Sequence, residues 1–209
     1  MENLIQEREE KGYKIKIYQD ESPESPRDWD NLGEMVCFHR RYDLGDKHNF
    51  SDSEDFMEFL KKEKPVFLSL FLYDHSGLTM STRSFHGRLP QGHAEFDSFQ
   101  VGVIYATKEK IKKEYGVKTI TKKIQEKVLG LLESEVKTYD QFLRSEVYGF
   151  ILEDPEGNNI DSCWGFFGSE SIDNYMIPDY VLPSIEYDLK QRREERTKAT
   201  IEEVQELYI

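Results

Sequence analysis

The strand-like segments of this chain come in hairpin groups and do not alternate strictly with helices. The clearest hairpin joins residues 147–154 to residues 159–168 through the turn PEGN, in which proline presets φ and glycine allows a positive φ. Further strands are predicted at residues 13–19, 34–42, 66–74, 79–85 and 99–106. Because hairpin partners pair antiparallel, this order favours an α+β fold with a mostly antiparallel sheet and helices packed on one face.

One strand and three helices have distinctive patterns. Residues 66–74, VFLSLFLYD, are almost all apolar, which predicts a central strand buried on both faces. Each predicted helix follows a serine or threonine that can cap its first turn, at residues 52–64 (Ser51 or Ser53), 107–116 (Thr107) and 119–144 (Thr119 or Thr121).

The predicted domain boundary lies at residue 168. Residues 1–168 are predicted to form an α+β core domain, and residues 169–209 a C-terminal helical extension that packs on the core or trails from it. Pro178 and Pro183 interrupt the first part of this extension. We therefore expect a helix from about Pro183 to Arg196 and a second, short helix after it.

The chain is strongly acidic, with a net charge of -13 and an isoelectric point near 4.9. A surface of this charge repels DNA, RNA and anionic membranes, whose binding depends on lysine and arginine. We therefore expect a protein partner with a basic surface, or a homo-oligomer, and no direct contact with nucleic acid or membrane. The simpler interpretation is that the charge only keeps the protein soluble.

Two features predict a cytosolic protein. Cys37 and Cys163 are far apart and match no C-x-x-C pattern, which favours a reducing compartment. The N-terminus, MENLIQEREEKGYK, lacks the apolar core of a signal peptide, and no apolar run approaches the roughly 20 residues that span a bilayer.

An acidic loop is the first candidate for partner binding. Residues 20–31 contain two prolines and five acids against one base, which predicts an exposed loop. Trp29 lies there between Asp28 and Asp30. Tryptophan is a frequent interface anchor, and a regular array of carboxylates can imitate the phosphates of DNA in a basic groove. The alternative is a solvated loop without a partner.

The second candidate for partner binding is the end of the apolar strand, where Tyr73, Asp74 and His75 precede Ser76 and Gly77. Polar residues at a strand end, beside a glycine turn, lie where binding sites often form. A catalytic triad is not predicted, because adjacent side chains in a strand point to opposite faces. The alternative is that these polar groups only stabilise the turn.

A ligand pocket is a third hypothesis. Arg40 and Arg41 could clamp a phosphate or nucleotide, with His75 beside them. Cys163 could act as a nucleophile if its strand and that of His75 are neighbours. The alternative is that the arginines pair with acids and that Cys163 belongs to a buried aromatic strand.

The histidines give little support for a metal site. His86 and His93 flank a loop with Glu95 and Asp97, but none of the five histidines forms a close zinc-binding spacing. Gly-rich phosphate-binding motifs are also absent from the sequence. We therefore predict no metal, no cofactor and no catalytic residue.

Three segments resemble an uncharacterised family of phage and mobile-element proteins of Gram-positive bacteria: YDHSGLTMSTRSF, FQVGVIYATKEKIKKEYG and VYGFILEDPEGNNIDSCWGFFG. The resemblance covers roughly residues 13–168. It implies expression in the cytoplasm of an infected bacterium, where small acidic phage proteins often counter host defence.

Two functions follow as hypotheses. The first is an acidic binding protein that inhibits a host-defence system by stoichiometric contact, of the anti-restriction or anti-CRISPR type, with DNA mimicry as one mode. The alternative is a protein that binds or hydrolyses a small molecule or nucleotide signal in counter-defence. A phage structural or housekeeping role is a third option.

Overall fold

The computed structural model describes residues 3–89 and 97–206, and it confirms the α+β class. Within these residues there are two four-stranded antiparallel sheets. The strands are β1 (Leu4–Glu10), β2 (Tyr13–Gln19), β3 (Glu34–Cys37), β4 (Val66–Asp74), β5 (Leu78–Ser81), β6 (Ser98–Ala106), β7 (Val147–Glu153) and β8 (Asn159–Phe167). The helices are α1 (Ser53–Glu63), α2 (Lys108–Glu114), α3 (Lys122–Leu143) and α4 (Leu182–Glu206), with a 3₁₀ turn at Pro26–Asp28 and a π-helical segment at Ile172–Val181.

The chain forms two compact units. Met1–Pro23 and Ser145–Ile209 make the terminal unit, and Glu24–Arg144 make the inserted unit, which lies between β2 and β7 in the sequence. This division differs from the predicted boundary at residue 168. The reason is that the sheet of the terminal unit takes strands from both ends of the chain, in the order β1-β2-β7-β8.

The core of the terminal unit lies between its sheet and the C-terminal helical segments. Alternate residues of β2 point inward, as its sequence predicts, and pack with Phe150 of β7. Met176 of the π-helical segment and Ile185 of α4 cover this face. β1 was not predicted, because its residues LIQEREE have no alternation of apolar and polar side chains and lie mostly exposed.

A cluster of charges fastens α4 to the turn between β7 and β8. Arg192 donates to Asp154, Glu156 and Asp188 over 2.5–2.6 Å. The side chain of Asn158 and the Arg192 guanidinium lower the pKa of Asp154 to about 2, so this carboxylate is ionised at neutral pH. The contact holds the first part of α4 against the terminal unit.

The prediction of two C-terminal helices was wrong, since α4 runs without a break through 25 residues. Pro183 is its second residue, and the π-helical segment Ile172–Val181, which contains Pro178, runs directly into α4. Neither proline therefore ends the helical run. Beyond Arg192, residues 193–205 are all exposed, so this part of the helix trails into solvent.

The inserted unit is built on the sheet β3-β6-β4-β5. Helix α3 packs on one face through residues such as Val128 and Leu132, against Leu70 and Leu72 of β4. Helix α1 covers part of the other face. The prediction that β4 is buried on both faces was wrong, because Phe67 on this second face lies outside the cluster under α1 and is 47% exposed.

Two of the three predicted helix caps are confirmed. Thr107 and Thr121 cap α2 and α3 by accepting backbone hydrogen bonds, as predicted. For α1 the cap is Asp52 and neither Ser51 nor Ser53, since its carboxylate accepts from two backbone N–H groups at 2.9 Å.

Candidate partner-binding surfaces

The side chain of Arg27, the one base of the predicted acidic loop, is buried. Its guanidinium donates two hydrogen bonds to Asp46, at 2.7 and 2.8 Å, and others to Glu135 at 3.3 Å and to the carbonyl of Gly33 at 2.7 Å. The loop predicted to be exposed at residues 20–31 therefore also contains buried groups, Pro26 and the side chain of Arg27. The side chain remains only 5% exposed because two carboxylates and a carbonyl satisfy its donors.

The same network leaves Trp29 at the surface. Trp29 is 45% exposed, and Asp28 and Asp30 on either side of it are exposed too. Asn31 donates from its backbone and from its side chain to the carbonyl of Trp29, at 2.9 and 3.1 Å. The hydrogen bonds of Arg27 and Asn31 thus hold the backbone on both sides of Trp29. The loop therefore presents an aromatic ring between two exposed carboxylates.

The predicted residues at the end of β4 meet charged partners. Asp74 accepts from the guanidinium of Arg41, and Nδ1 of His75 lies 3.0 Å from a carboxylate oxygen of Asp97. The ring of Tyr73 stacks on His75 at 5.9 Å. Asp74 and His75 thus face different partners and do not form a triad. Of the four predicted ligand-binding residues, the structure brings Arg41 and His75 to this end of the sheet.

Beside these residues, three rings form a stack that sequence patterns did not indicate. His39 lies between Tyr42 at 4.9 Å and Phe99 at 5.6 Å, with nearly parallel ring planes. The guanidinium of Arg41 lies 5.3 Å from the centre of the Tyr42 ring, and Arg40 is exposed. Stacked aromatic rings beside an arginine are typical of sites that bind nucleobases and phosphates.

Cys163 belongs to a different sheet from the strand that precedes His75. It belongs to β8 of the terminal unit, which pairs with β7, whereas His75 follows β4 of the inserted unit. The condition that their strands be neighbours is therefore not met. Burial raises the pKa of the other thiol, Cys37, to about 12, so it is protonated and unsuited to nucleophilic attack at neutral pH.

The predicted histidine–carboxylate loop falls partly outside the described residues, since His93 and Glu95 are not among them. His86 is exposed. Among the residues that are described, no three His, Cys, Asp or Glu side chains are grouped as metal ligands would be.

The negative charge is distributed unequally between the units. The terminal unit has 21 Asp and Glu against nine Lys and Arg, whereas the inserted unit has 20 against 19. Residues 145–189 alone contain ten carboxylates and no lysine, arginine or histidine. Sequence reasoning missed this segregation, although the cation-free segment is visible in the sequence, because the boundaries of the units depend on the pairing of β2 with β7.

No helix within residues 3–89 and 97–206 is both long and apolar enough to cross a bilayer. Comparisons of the chain with protein-family models, with curated proteins and with solved structures found no match.

Proposed function

We propose that the protein is a phage-encoded acidic binding protein that inhibits a bacterial host-defence system by stoichiometric contact. The observation that carries this proposal is the concentration of charge in the terminal unit, which accounts for a net charge of -12 while the inserted unit has -1. A surface of one sign attracts a partner of the opposite sign and rejects nucleic acid. The partner is therefore a defence protein with a basic surface, such as one that binds DNA.

The surroundings of the reactive side chains also favour contact over catalysis. The carboxylate of Asp74 is paired with Arg41, the imidazole of His75 with Asp97, and the thiol of Cys37 is held in its protonated form. In contrast, the terminal unit presents exposed carboxylates such as those of Asp179 and Glu195. Exposed charges of one sign steer a partner of the opposite sign to a protein surface.

The test is phage plating on a panel of Gram-positive hosts, each carrying one defence system, beside the same host without it. Expression of the protein should restore plating on a defended host, in proportion to the amount of protein made, because each defence molecule must be occupied. Unchanged plating on every defended host, whatever the expression level, would contradict the proposal.

The alternative, a protein that binds or hydrolyses a nucleotide signal in counter-defence, is favoured by the stack of His39, Tyr42 and Phe99 beside Arg41. The plating assay separates the two functions. If the protein acts on a signal, replacing Arg41 with alanine should abolish protection, whereas an inhibitor that uses the terminal unit should retain it.

A further inference from the structure

A cleft of about 920 Å³ lies on the inserted unit, between helix α1, strand β3 and the loop of residues 46–50. Its floor is apolar, since Val36 and Tyr105 rise from neighbouring strands and Phe50 and Phe59 pack with them. The ring of Phe59 lies 5.3 Å from that of Phe50 and 5.3 Å from that of Tyr105, so these side chains border one space. This space, called the α1 cleft below, is large enough for a small organic molecule.

The strand register places a carboxylate beside this floor. Glu34 and Val36 are alternate residues of β3, so their side chains point to the same face of the sheet. Glu34 pairs with Tyr105 across the two strands, and its carboxylate accepts a hydrogen bond from the tyrosine hydroxyl at 2.7 Å. Glu34 therefore belongs to the wall of the cleft on the side of β3.

Helix α1 supplies another wall. Asp55, Glu58, Phe59 and Lys62 are spaced by three and four residues, which puts them on one side of the helix. All of them line the cleft. Carboxylates thus enter the lining from two separate elements, β3 and α1.

The charges of the α1 cleft favour a cation. Its lining contains five carboxylates against two lysines: Glu34, Asp46, Asp55, Glu58 and Glu63, and Lys47 and Lys62. Arg27 neutralises Asp46, whereas the other four carboxylates have no ion-pair partner among the described residues. Burial raises the pKa of the Tyr105 hydroxyl, and Glu34 and Asp46 raise it further, so the negative charge reaches the floor of the cleft.

His48, in the same lining, lacks a hydrogen-bond donor. Its Nε2 lies 3.3 Å from the carbonyl oxygen of Cys37, which can only accept, so Nε2 carries the hydrogen. Nδ1 of the neutral ring is then an acceptor, and this buried atom has no partner among the residues that the structure describes. A buried acceptor without a donor is rare in folded proteins. Together with the carboxylates, it favours a ligand that carries N–H groups.

We propose that the α1 cleft binds an aliphatic diamine or polyamine. One ammonium group pairs with Glu34 on β3, and another pairs with Asp55 or Glu58 on α1. The methylene groups between them lie on the rings of Phe50 and Phe59. A lysine side chain of a protein satisfies only one of the two walls, because it has a single ammonium group. This inference concerns the inserted unit and does not depend on the proposed function.

Three cations test the proposal by isothermal titration calorimetry at physiological salt, which screens diffuse attraction to the acidic surface. The probe is putrescine, a diamine with four methylene groups. n-Butylamine has the same carbon chain but one charge, and Mg²⁺ has two charges but no methylene groups. Putrescine should bind saturably with one site per chain, and n-butylamine about tenfold more weakly, because one charge pair is lost. Excess Mg²⁺ should not displace putrescine.

Variants locate the binding. Glu34→Gln combined with Glu58→Gln should weaken putrescine by about tenfold or more. Both side chains are exposed, and an amide oxygen can still accept from the hydroxyl of Tyr105, so the fold should tolerate the change. The control, Glu195→Gln combined with Glu203→Gln, removes the same charge from exposed positions of the strongly acidic terminal unit. It should leave the affinity for putrescine unchanged.

Unfolding gives a second readout. In a chain with Trp164→Phe, Trp29 is the only tryptophan and reports on the inserted unit. Putrescine should raise the urea midpoint of this signal, because a ligand of the folded state stabilises it, and Mg²⁺ at the same concentration should not. The proposal is overturned if Mg²⁺ or n-butylamine binds as tightly as putrescine, if the two double variants lose affinity alike, or if putrescine changes neither the heat signal nor the midpoint.

Discussion

Replacing Arg27 with alanine is expected to lower the free energy of unfolding of the inserted unit by about 3–5 kcal/mol. Asp46 and Glu135 would lose their shared cation, and the side chain of Glu135 is itself only 8% exposed. Glu135 would keep only hydrogen bonds from the backbone N–H groups of Leu32 and Gly33, and a buried carboxylate without a counter-charge is far more costly than an exposed one. Arg27→Lys should restore only part of the loss, because an ammonium group cannot reproduce the planar fork on Asp46.

Urea unfolding measures this effect in a chain with Trp164→Phe, in which Trp29 reports on the inserted unit and circular dichroism reports on the whole chain. The matched control is Arg83→Ala, since Arg83 is 77% exposed and lies 3.6 Å from Glu133. Loss of this surface pair should cost about 0.5 kcal/mol or less. A similar, small cost for Arg27→Ala would show that the Arg27 network does not hold the Trp29 loop.

Gly102→Ala is expected to destabilise the inserted unit by about 3 kcal/mol, the upper end of the range for overpacked cores. A Cβ atom at Gly102 would lie 2.0 Å from the carbonyl oxygen of Val36 and 2.8 Å from the Cα of Cys37. Both atoms belong to the backbone of β3, so no side-chain rotation relieves the overlap. β3 also cannot retreat easily, because Met35 and Cys37 are packed in the core.

The same substitution at Gly130 is the control for Gly102. Gly130 lies within α3, and a Cβ atom there would meet nothing within 4 Å. Gly130→Ala should therefore stabilise the unit by about 0.5–1 kcal/mol, since alanine favours the helix. If Gly102→Ala, like Gly130→Ala, raises the unfolding free energy, the backbones of β3 and β6 do not approach each other closely at Gly102.

Local patterns account for the elements that the sequence predicted well. Residues 13–19 and 66–74 match β2 and β4 because short alternating or continuous apolar runs of this length are typical of strands. Thr107 and Thr121 act as caps because capping involves only the next few residues. β1 escaped prediction because β2, and not its own composition, supplies its pairing.

Local sequence patterns also predict the candidate surfaces only in part. The exposure of Trp29 follows from its polar neighbours, but the burial of Arg27 depends on Glu135, which is 108 residues away. Likewise, the cation-free segment, residues 145–189, can be found by counting charges in the sequence. That it belongs to one strongly acidic unit becomes clear only from the pairing of β2 with β7. Long-range pairings of this kind leave no local signal in a single sequence.

The central claim is that the carboxylates of the terminal unit make the contact with the partner. Two variants test it, each with four exposed acids changed to their amides. In the terminal unit these are Asp179→Asn, Glu186→Gln, Glu195→Gln and Glu203→Gln, and in the inserted unit Glu24→Gln, Glu58→Gln, Glu109→Gln and Glu126→Gln. Both variants gain the same charge, so solubility and overall repulsion change alike.

The measurement is the plating efficiency of phage on the defended host that the wild-type protein rescues. The terminal-unit variant should lose most of its protection, and the inserted-unit variant should protect as well as the wild type. Equal protection by both variants, or equal loss, would contradict the assignment of the contact to the terminal unit.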